Sequence, residues 1–260
     1  MMKNLKIPGT CNIVVSVFVV VFLLTGCTAK NPRLAEVFLE RGMAYIQQGQ
    51  YTAALKELLE AKKQNPDDPT IRYYLGIAYY TKRLNIEAVL EFKEAISLKP
   101  GYSEAHNYLG MVYCEMGRWD DAIAEFKKAV SNVLYETPAG AYNNMGYAYY
   151  RKGDYQTALV SFDEAFTKDP NTLLAPLIEK NRGMVLLAQG RVREAINHLK
   201  KSLEIAPDFP ETHYLLAKCH VEMKDLKEAE AEFRLVLKLA PDSELAEKAK
   251  ESLAAIMESR

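Results

Sequence analysis

One pattern recurs at nearly constant intervals through this chain of 260 residues. A small residue is followed by a tyrosine three positions later in the first four copies, and by an alanine twelve positions later in every copy. Apolar residues within each copy follow helical spacing, and a proline ends the copy in all but the third, so each copy predicts two helices joined by a polar turn. The small residues are Gly42, Gly76, Gly110, Gly146, Gly183 and Ala217, which places successive copies 34, 34, 36, 37 and 34 residues apart, and the prolines are Pro66, Pro100, Pro170, Pro207 and Pro241.

A single helix pair cannot bury its own apolar face, so such pairs stack into a solenoid. The 34-residue period resembles the tetratricopeptide repeat (TPR) family. That resemblance implies an all-α fold, a right-handed α-solenoid of six TPR helix pairs plus a C-terminal capping helix. The capping helix is predicted over residues 243–260, with Leu245, Ala249, Leu253 and Ile256 on one face. The six repeats cover residues 35–242, as 35–68, 69–102, 103–138, 139–175, 176–209 and 210–242.

Two insertions interrupt the period. Two extra residues lie in "SNVLYETPAG", between the third and fourth repeats, and three follow Pro170 in "NTLLAPL". Insertions in a solenoid fall in its loops and can be functional. A neutral change of length is the alternative.

The N-terminus resembles a bacterial export signal. Lys3 and Lys6 precede a twelve-residue apolar run, Ile13 to Leu24, which is shorter than the roughly 20 residues that a spanning helix needs. The run leads into "LTGC", which resembles the lipobox, so residues 1–26 are predicted to be cleaved and Cys27 to carry acyl chains. Residues 27–34 would form a lipid-anchored linker, and an uncleaved short anchor is the alternative. Because Thr28 is not aspartate, the analogy with lipoprotein sorting favours the outer membrane, facing the periplasm, although a Gram-positive surface lipoprotein would look similar.

The TPR resemblance implies that the first helix of each pair lines a concave groove. In "AYNNMGYAYYRKGDYQTALVSFDEAF" the phases assign Tyr142, Tyr149, Tyr155 and Phe162 to packing between helices. Tyrosine, methionine and asparagine along the other phases are suited to an extended peptide segment of a protein partner. Packing of these side chains against adjacent repeats is the alternative. The predicted groove residues are Tyr73, Tyr74, Ile77, Tyr80, Asn107, Tyr108, Met111, Asn143, Asn144, Tyr147, Tyr150, Lys180, Asn181 and Met184.

Several other functions are not predicted. The formal net charge of −1 gives no electrostatic basis for nucleic-acid binding. No zinc-protease, redox or hydrolase motif occurs, so the sequence predicts no enzyme, no catalytic residue, no metal, no cofactor and no small-molecule substrate. His213, Cys219 and His220 weakly imitate a metal site, but core packing is the favoured interpretation. Cys114 lies three repeats from Cys219, too far to form a disulfide within the chain. TPR cochaperones that hold a C-terminal carboxylate use lysines and asparagines at set phases. Only Lys180 matches that pattern, so a carboxylate-clamp function is not predicted.

A lipobox, six TPR units and the segment "SNVLYETPAGAYNNMG" together resemble the type IV pilus pilotins, the PilF/PilW/Tgl group. The distinctive residues are Asn132, Tyr135 and Pro138, followed by Asn144 and Gly146. The resemblance implies an outer-membrane lipoprotein that assists localisation and multimer assembly of the secretin, with a secretin subunit as partner and the membrane bound through Cys27. This sequence differs from some members of the group, because it has no cysteine pair placed to form the disulfide that those members contain. The alternative function is a generic TPR scaffold for cell-wall or polysaccharide-export complexes.

Overall fold

The computed structural model describes residues 30–258. These residues form an all-helical solenoid of six antiparallel helix pairs and a final helix, as the sequence predicts. The signal segment 1–26, Cys27 and the first part of the linker lie outside the described residues. The helices are α1 Pro32–Gln47, α2 Tyr51–Gln64, α3 Pro69–Thr81, α4 Asn85–Leu98, α5 Ser103–Glu115, α6 Trp119–Ser131, α7 Pro138–Arg151, α8 Tyr155–Lys168, α9 Ala175–Ala188, α10 Val192–Ile205, α11 Pro210–Glu222, α12 Leu226–Leu239 and α13 Glu244–Glu258.

Local sequence signals set where many of these helices begin and end. The Asp68 carboxylate accepts a hydrogen bond from Thr70 N at 2.7 Å and caps α3. Pro69 is the first residue of that helix, a position whose N–H would have no partner within the helix, so the missing N–H of proline costs nothing there. The five prolines that close the repeats each lie two positions beyond the last residue of a second helix, as at α2 and Pro66. Proline cannot continue a helix, and the next pair therefore begins a few residues later.

The turn inside each pair needs a left-handed backbone at one position. The residue seven positions after each repeat's small residue has a φ between 59° and 81° in all six pairs. Glycine adopts this conformation without steric cost, whereas other residues are strained there. Four of the six positions are glycine, and the other two are Arg83 and Lys224.

The core follows the same phasing. A large side chain sixteen residues after each small residue is essentially inaccessible to solvent; these are Leu58, Phe92, Phe126, Phe162, Leu199 and Phe233. The Phe162 ring lies directly over Gly146, where a Cβ atom would be only 2.6 Å from Cε1. The two helices of this pair can therefore approach closely only because Gly146 has no side chain.

The predicted core residues of the fourth repeat differ in burial. Phe162 is fully buried, as predicted, whereas Tyr142, Tyr149 and Tyr155 are partly buried at the border of its cluster. Each tyrosine packs its ring on the core and keeps an edge towards solvent, which suits a side chain that is apolar at the ring and polar at the hydroxyl.

The last helix closes the apolar end of the solenoid. In α13, Ala249 and Ile256 are buried against the core of the sixth repeat, and Leu245 and Leu253 pack beside them. Ala246 is also buried, although it was not among the residues predicted for this face. α13 therefore packs on the sixth pair with the face predicted for a capping helix.

Candidate functional site

The contacts between helices define two different faces. Each first helix contacts the first helix of the next pair, in the series α1, α3, α5, α7, α9 and α11. Within residues 30–258, neighbouring second helices such as α4 and α6 make no such contact. The second helices therefore fan apart on a convex side. The first helices form one continuous concave face, which is the face on which the sequence places a groove.

A pocket of about 660 Å³ lies on this face, between α5 and α9. It brings together half of the predicted groove residues: Tyr80, Met111, Asn143, Asn144, Tyr147, Lys180 and Asn181. Cys114, which occupies the same groove-facing phase of the third repeat, also lines the pocket. The other lining residues were not predicted: Glu115, Gly117, Trp119, Phe126, Arg151 and Leu177. The other predicted residues, Tyr73, Tyr74, Ile77, Asn107, Tyr108, Tyr150 and Met184, do not line this pocket.

Asparagine amides form a ladder that crosses three repeats. Asn181 Nδ2 donates to Asn143 Oδ1 at 2.9 Å, and Asn144 Nδ2 donates to Asn107 Oδ1 at 3.2 Å. Asn143 Nδ2 donates to Asn144 Oδ1 at 3.5 Å and joins the two halves. Asn143 and Asn181 are buried, at 4% and 3% exposure. Part of the hydrogen-bonding capacity that the sequence assigns to a peptide is therefore used between repeats, and Asn144 and Asn107 are the more accessible members.

The aromatic residues of the second and third repeats pack mainly against one another. The Tyr73 ring centroid lies 5.1 Å from that of Tyr74 and 5.6 Å from that of Tyr108, and the Tyr108 ring stacks on Phe92 at 5.7 Å. Ile77 is buried within the same cluster. Burial raises the pKa of Tyr73 and Tyr108 above the usual value, as expected for hydroxyls held away from water. This end of the concave face is thus a packed aromatic wall rather than an open cleft.

The two predicted tyrosines of the fourth repeat have different surroundings. Tyr150 packs on Tyr155 with ring centroids 5.9 Å apart, at the edge of the core cluster around Phe162. Tyr147 faces the pocket, and its hydroxyl accepts a hydrogen bond from Arg151 Nη1 at 3.1 Å. The Arg151 guanidinium lies 4.5 Å from the Trp119 ring centroid. A Tyr147–Arg151–Trp119 stack therefore forms one side of the pocket.

Trp119 and Arg151 were not predicted, because the groove-facing phases lie within the first helices and these two residues lie at helix ends. Trp119 opens a second helix, α6, and Arg151 is the last residue of α7. The chain has one tryptophan. A single tryptophan at the turn of one helix pair, followed in the next repeat by an arginine at the matching turn, was the sequence signal that could have identified this part of the pocket.

Lys180 lies on the opposite side of the pocket. Its ammonium group is 5.5 Å from the Phe209 ring centroid. Burial lowers the pKa of Lys180 below its usual value, and the nearby charge of Glu211 only partly opposes this. The shift has the sign expected for an ammonium group that loses water without gaining a close counter-ion.

The first insertion is anchored to the third repeat and reaches the ladder. Asn132 Nδ2 donates to Ser103 Oγ at 3.1 Å, and Leu134 N donates to Asn132 Oδ1 at 3.0 Å. Tyr135 is buried, which raises the pKa of its hydroxyl, and the nearby side chains of Thr137 and Asn107 oppose that rise. The side chains of Val133 and Leu134 between them are 94% and 83% exposed. The insertion therefore packs Tyr135 near Asn107 and exposes two apolar side chains, Val133 and Leu134, to solvent.

The histidines of the weak metal-like set each lie near a carboxylate, and the two described cysteines form no disulfide. His213 Nδ1 lies 2.6 Å from Glu232 Oε2, and His220 Nδ1 lies 3.8 Å from Asp225 Oδ2. Cys114 and Cys219 are free thiols. Residues 30–258 contain no group of three or more His, Cys, Asp or Glu side chains arranged to hold a metal ion. None of the helices in this range combines the length and hydropathy needed to cross a membrane.

Comparison with known proteins identifies the repeats. Family models described as tetratricopeptide or TPR repeats match residues 30–82, 101–167, 136–208 and 186–253. The chain is 30% identical over 84 residues to the TPR repeat-containing thioredoxin TTL4 of Arabidopsis thaliana, covering 32% of this chain and 12% of that protein. It is 28% identical over 120 residues to DnaJ homolog subfamily C member 7 of Mus musculus, covering 46% and 24%. The chain thus spans less than a quarter of the length of these curated relatives.

Two solved structures share the whole architecture at low identity. PilW, titled a widely conserved type IV pilus biogenesis factor, superimposes with a TM-score of 0.76 at 20% identity, covering 84% of this chain and 99% of PilW. Pseudomonas aeruginosa pilF gives a TM-score of 0.71 at 16% identity, with 85% and 98% coverage. At such identities the likeness concerns the fold alone. From its repeat matches and its stacked helix pairs, the chain belongs to the tetratricopeptide-repeat proteins.

Proposed function

We propose that the concave face binds an extended segment of a partner protein. The observation that carries this proposal is the pocket between α5 and α9, where Tyr147, Met111 and Leu177 offer apolar area beside the accessible amide of Asn144. Asn144 uses one of its two N–H groups on Asn107, so the other remains available to a peptide carbonyl. TPR solenoids use concave surfaces of this kind for binding.

The partner we propose is a secretin subunit, with the protein acting as an outer-membrane lipoprotein in type IV pilus biogenesis. Two observations support this assignment. The chain matches PilW and pilF over almost their entire lengths, 99% and 98%. The N-terminal segment also ends in "LTGC", which would supply an acylated Cys27. Acyl chains would hold the solenoid at the membrane, and the groove would hold a secretin segment until subunits assemble.

A deletion strain tests this function directly. Outer-membrane fractions would be probed for heat-stable secretin multimers, with complementation by the wild type, by Cys27→Ala and by Tyr147→Ala. We expect the wild type to restore multimers, Cys27→Ala to fail because the protein is no longer anchored, and Tyr147→Ala to fail because the groove is altered. Tyr147 is preferred to Tyr150 because Tyr150 packs on the core and its removal would also affect folding.

The matched control is Val160→Ala, which shortens an exposed apolar side chain on the convex helix α8. It should behave as the wild type, and circular dichroism should show each variant folded. Unchanged multimers and pili in the deletion strain would contradict the pilus assignment. The generic envelope scaffold would then remain, with its partner to be found by crosslinking from position 147.

A further inference from the structure

The charges around the pocket are not balanced. Among residues 30–258, neither Lys180 nor Arg151 forms an ion pair with a carboxylate within 4.0 Å. Glu115, the acid that lines the pocket, already has partners: it lies 3.8 Å from Arg83 and accepts a hydrogen bond from Asn85 at 3.4 Å. The pocket thus presents two cations and no free carboxylate.

Several cations elsewhere on the solenoid do have carboxylate partners. Arg72 and Lys62 both contact Glu91, at 3.0 Å and 2.6 Å, and Arg182 contacts Glu179 at 3.3 Å. Lys180 is partly buried without a counter-ion, which costs free energy that a bound carboxylate would offset. Arg151 is exposed and offers a second set of N–H donors in the same pocket. The geometry points to recognition of an acidic peptide: the groove takes an extended segment whose Asp or Glu side chains pair with Lys180 and Arg151. This inference rests on the proposed peptide-binding function and adds the chemistry of the ligand.

The register of the repeats sets the spacing of the two acidic side chains. Arg151 lies five residues after Gly146, and Lys180 three residues before the equivalent Gly183, so they are eight residues apart along neighbouring helices. Eight residues span about 12 Å at 1.5 Å each, and packed helices lie about 8–10 Å apart, which separates the two backbone positions by about 15 Å. An extended peptide covers this distance in about four or five residues. Two cations at this spacing suit two acidic side chains within the segment.

The surface between the cations defines the rest of the ligand. Tyr147, Met111 and Leu177 line the pocket there. An apolar or aromatic side chain between the two acids would cover this surface, since methionine and tyrosine adapt to such partners. The expected ligand is therefore acidic at both ends and apolar between them.

Peptide display on the full chain tests the inference. A phage library of random dodecapeptides, fused to the coat protein at their C-termini, presents side-chain carboxylates but no free C-terminus. We expect selected peptides to be enriched in Asp and Glu at two positions four or five residues apart. Binding of one selected peptide would be followed by the fluorescence of Trp119, the only tryptophan of the chain, which lies in the pocket.

Two substitutions of Lys180 test whether its charge selects the ligand. Lys180→Met should weaken the selected peptide about tenfold or more, because a charge-assisted hydrogen bond is lost. Lys180→Glu should instead select peptides that carry Lys or Arg at that position. The matched control is Lys200→Met on the outer helix α10, which should leave binding unchanged.

The outcomes separate this inference from the proposed function. If selected peptides bind the groove and are weakened by Tyr147→Ala, yet show no acidic enrichment over the input library, the charge inference is wrong and the groove function stands. If no peptide is selected, or Tyr147→Ala has no effect on any of them, both are wrong. Circular dichroism of Lys180→Met and Lys180→Glu must show folded protein, and the reversed charge preference cannot arise from misfolding.

Discussion

His106 Nδ1 lies 2.6 Å from Glu125 Oε2, and His106 Nε2 lies 3.2 Å from the carbonyl oxygen of Pro100. The two side chains are 19 residues apart and join the two helices of the third repeat. The same 19-residue spacing joins helices in three other repeats, through Arg72 and Glu91, Glu179 and His198, and His213 and Glu232. Arg72 also donates from Nε to the carbonyl of Pro66 at 2.9 Å. A contact between a basic and an acidic side chain 19 residues apart therefore recurs between the two helices of a pair. In three of these repeats the basic side chain also contacts a proline carbonyl in the preceding loop.

We expect Glu125→Gln to destabilise the protein at neutral pH but not in acid. Burial raises the pKa of Glu125, but hydrogen bonds from His106 and Lys128 outweigh it and leave the pKa below its ordinary 4.5. Such a group stabilises the fold fully above its unfolded pKa, and the contribution is lost as the pH falls through the folded pKa. A hydrogen bond to a charged group contributes about 1.5–3 kcal/mol.

Urea unfolding of wild type and Glu125→Gln at pH 7 and near pH 3 measures this. The two free energies of unfolding should differ at pH 7 and converge in acid. Glu40→Gln, on the exposed surface of α1, is the control and should match the wild type at both values. An equal difference at both pH values would show that the carboxylate charge is not responsible.

Lys224→Gly should stabilise the protein. Lys224 has a φ of 62° in the turn between α11 and α12, where four other repeats have glycine. A left-handed conformation costs an L-residue about 1 kcal/mol, and glycine avoids that cost. Thermal unfolding should show a higher Tm for Lys224→Gly. The reverse change, Gly153→Lys, puts a lysine in the left-handed conformation at the matching turn of the fourth repeat and should lower the Tm. A lower Tm for Lys224→Gly would mean that the lysine side chain makes a compensating contact.

Gly146→Ala should destabilise the fourth repeat strongly. The added Cβ would lie 2.6 Å from Phe162 Cε1, in a ring that is fully buried and cannot move without disturbing the core. Overpacking of this kind costs about 1–3 kcal/mol or more. Gly140→Ala in the same helix is the matched control, because its Cβ would meet only Leu174 at 3.7 Å and alanine favours a helix. Similar unfolding free energies for the two variants would contradict the close approach.

Asn181→Ala should destabilise the junction between the fourth and fifth repeats. It removes the donor to Asn143 Oδ1 and leaves that buried oxygen unpaired, at a cost of about 1–3 kcal/mol. The double variant with Asn143→Ala should cost less than the sum of the single changes, because both partners are then absent. Asn197→Ala, exposed on α10, controls for loss of an asparagine. Strict additivity would show that the two amides do not interact.

The sequence by itself determined the architecture. The phases of Gly146 and Phe162 recur in every repeat, and each repeat contacts only its neighbours, so a local pattern is sufficient to specify the stacking. The phases also identified the concave side and seven residues of the pocket there, since which face of a helix a residue occupies follows from its position alone. The N-terminal prediction, including Cys27, lies outside residues 30–258 and stays a prediction.

Only the tertiary structure decided how each of those residues is used. Asn143 pairs with Asn181, 38 positions away, and Tyr150 packs on the core while Tyr147 faces the pocket. These outcomes depend on the rotation between adjacent repeats and on which partner lies nearest, and neither is encoded in the phase of a single helix. Trp119 and Arg151 meet across two repeats for the same reason, and Lys180 faces the pocket without a counter-ion because the surrounding carboxylates are already paired or lie beyond contact.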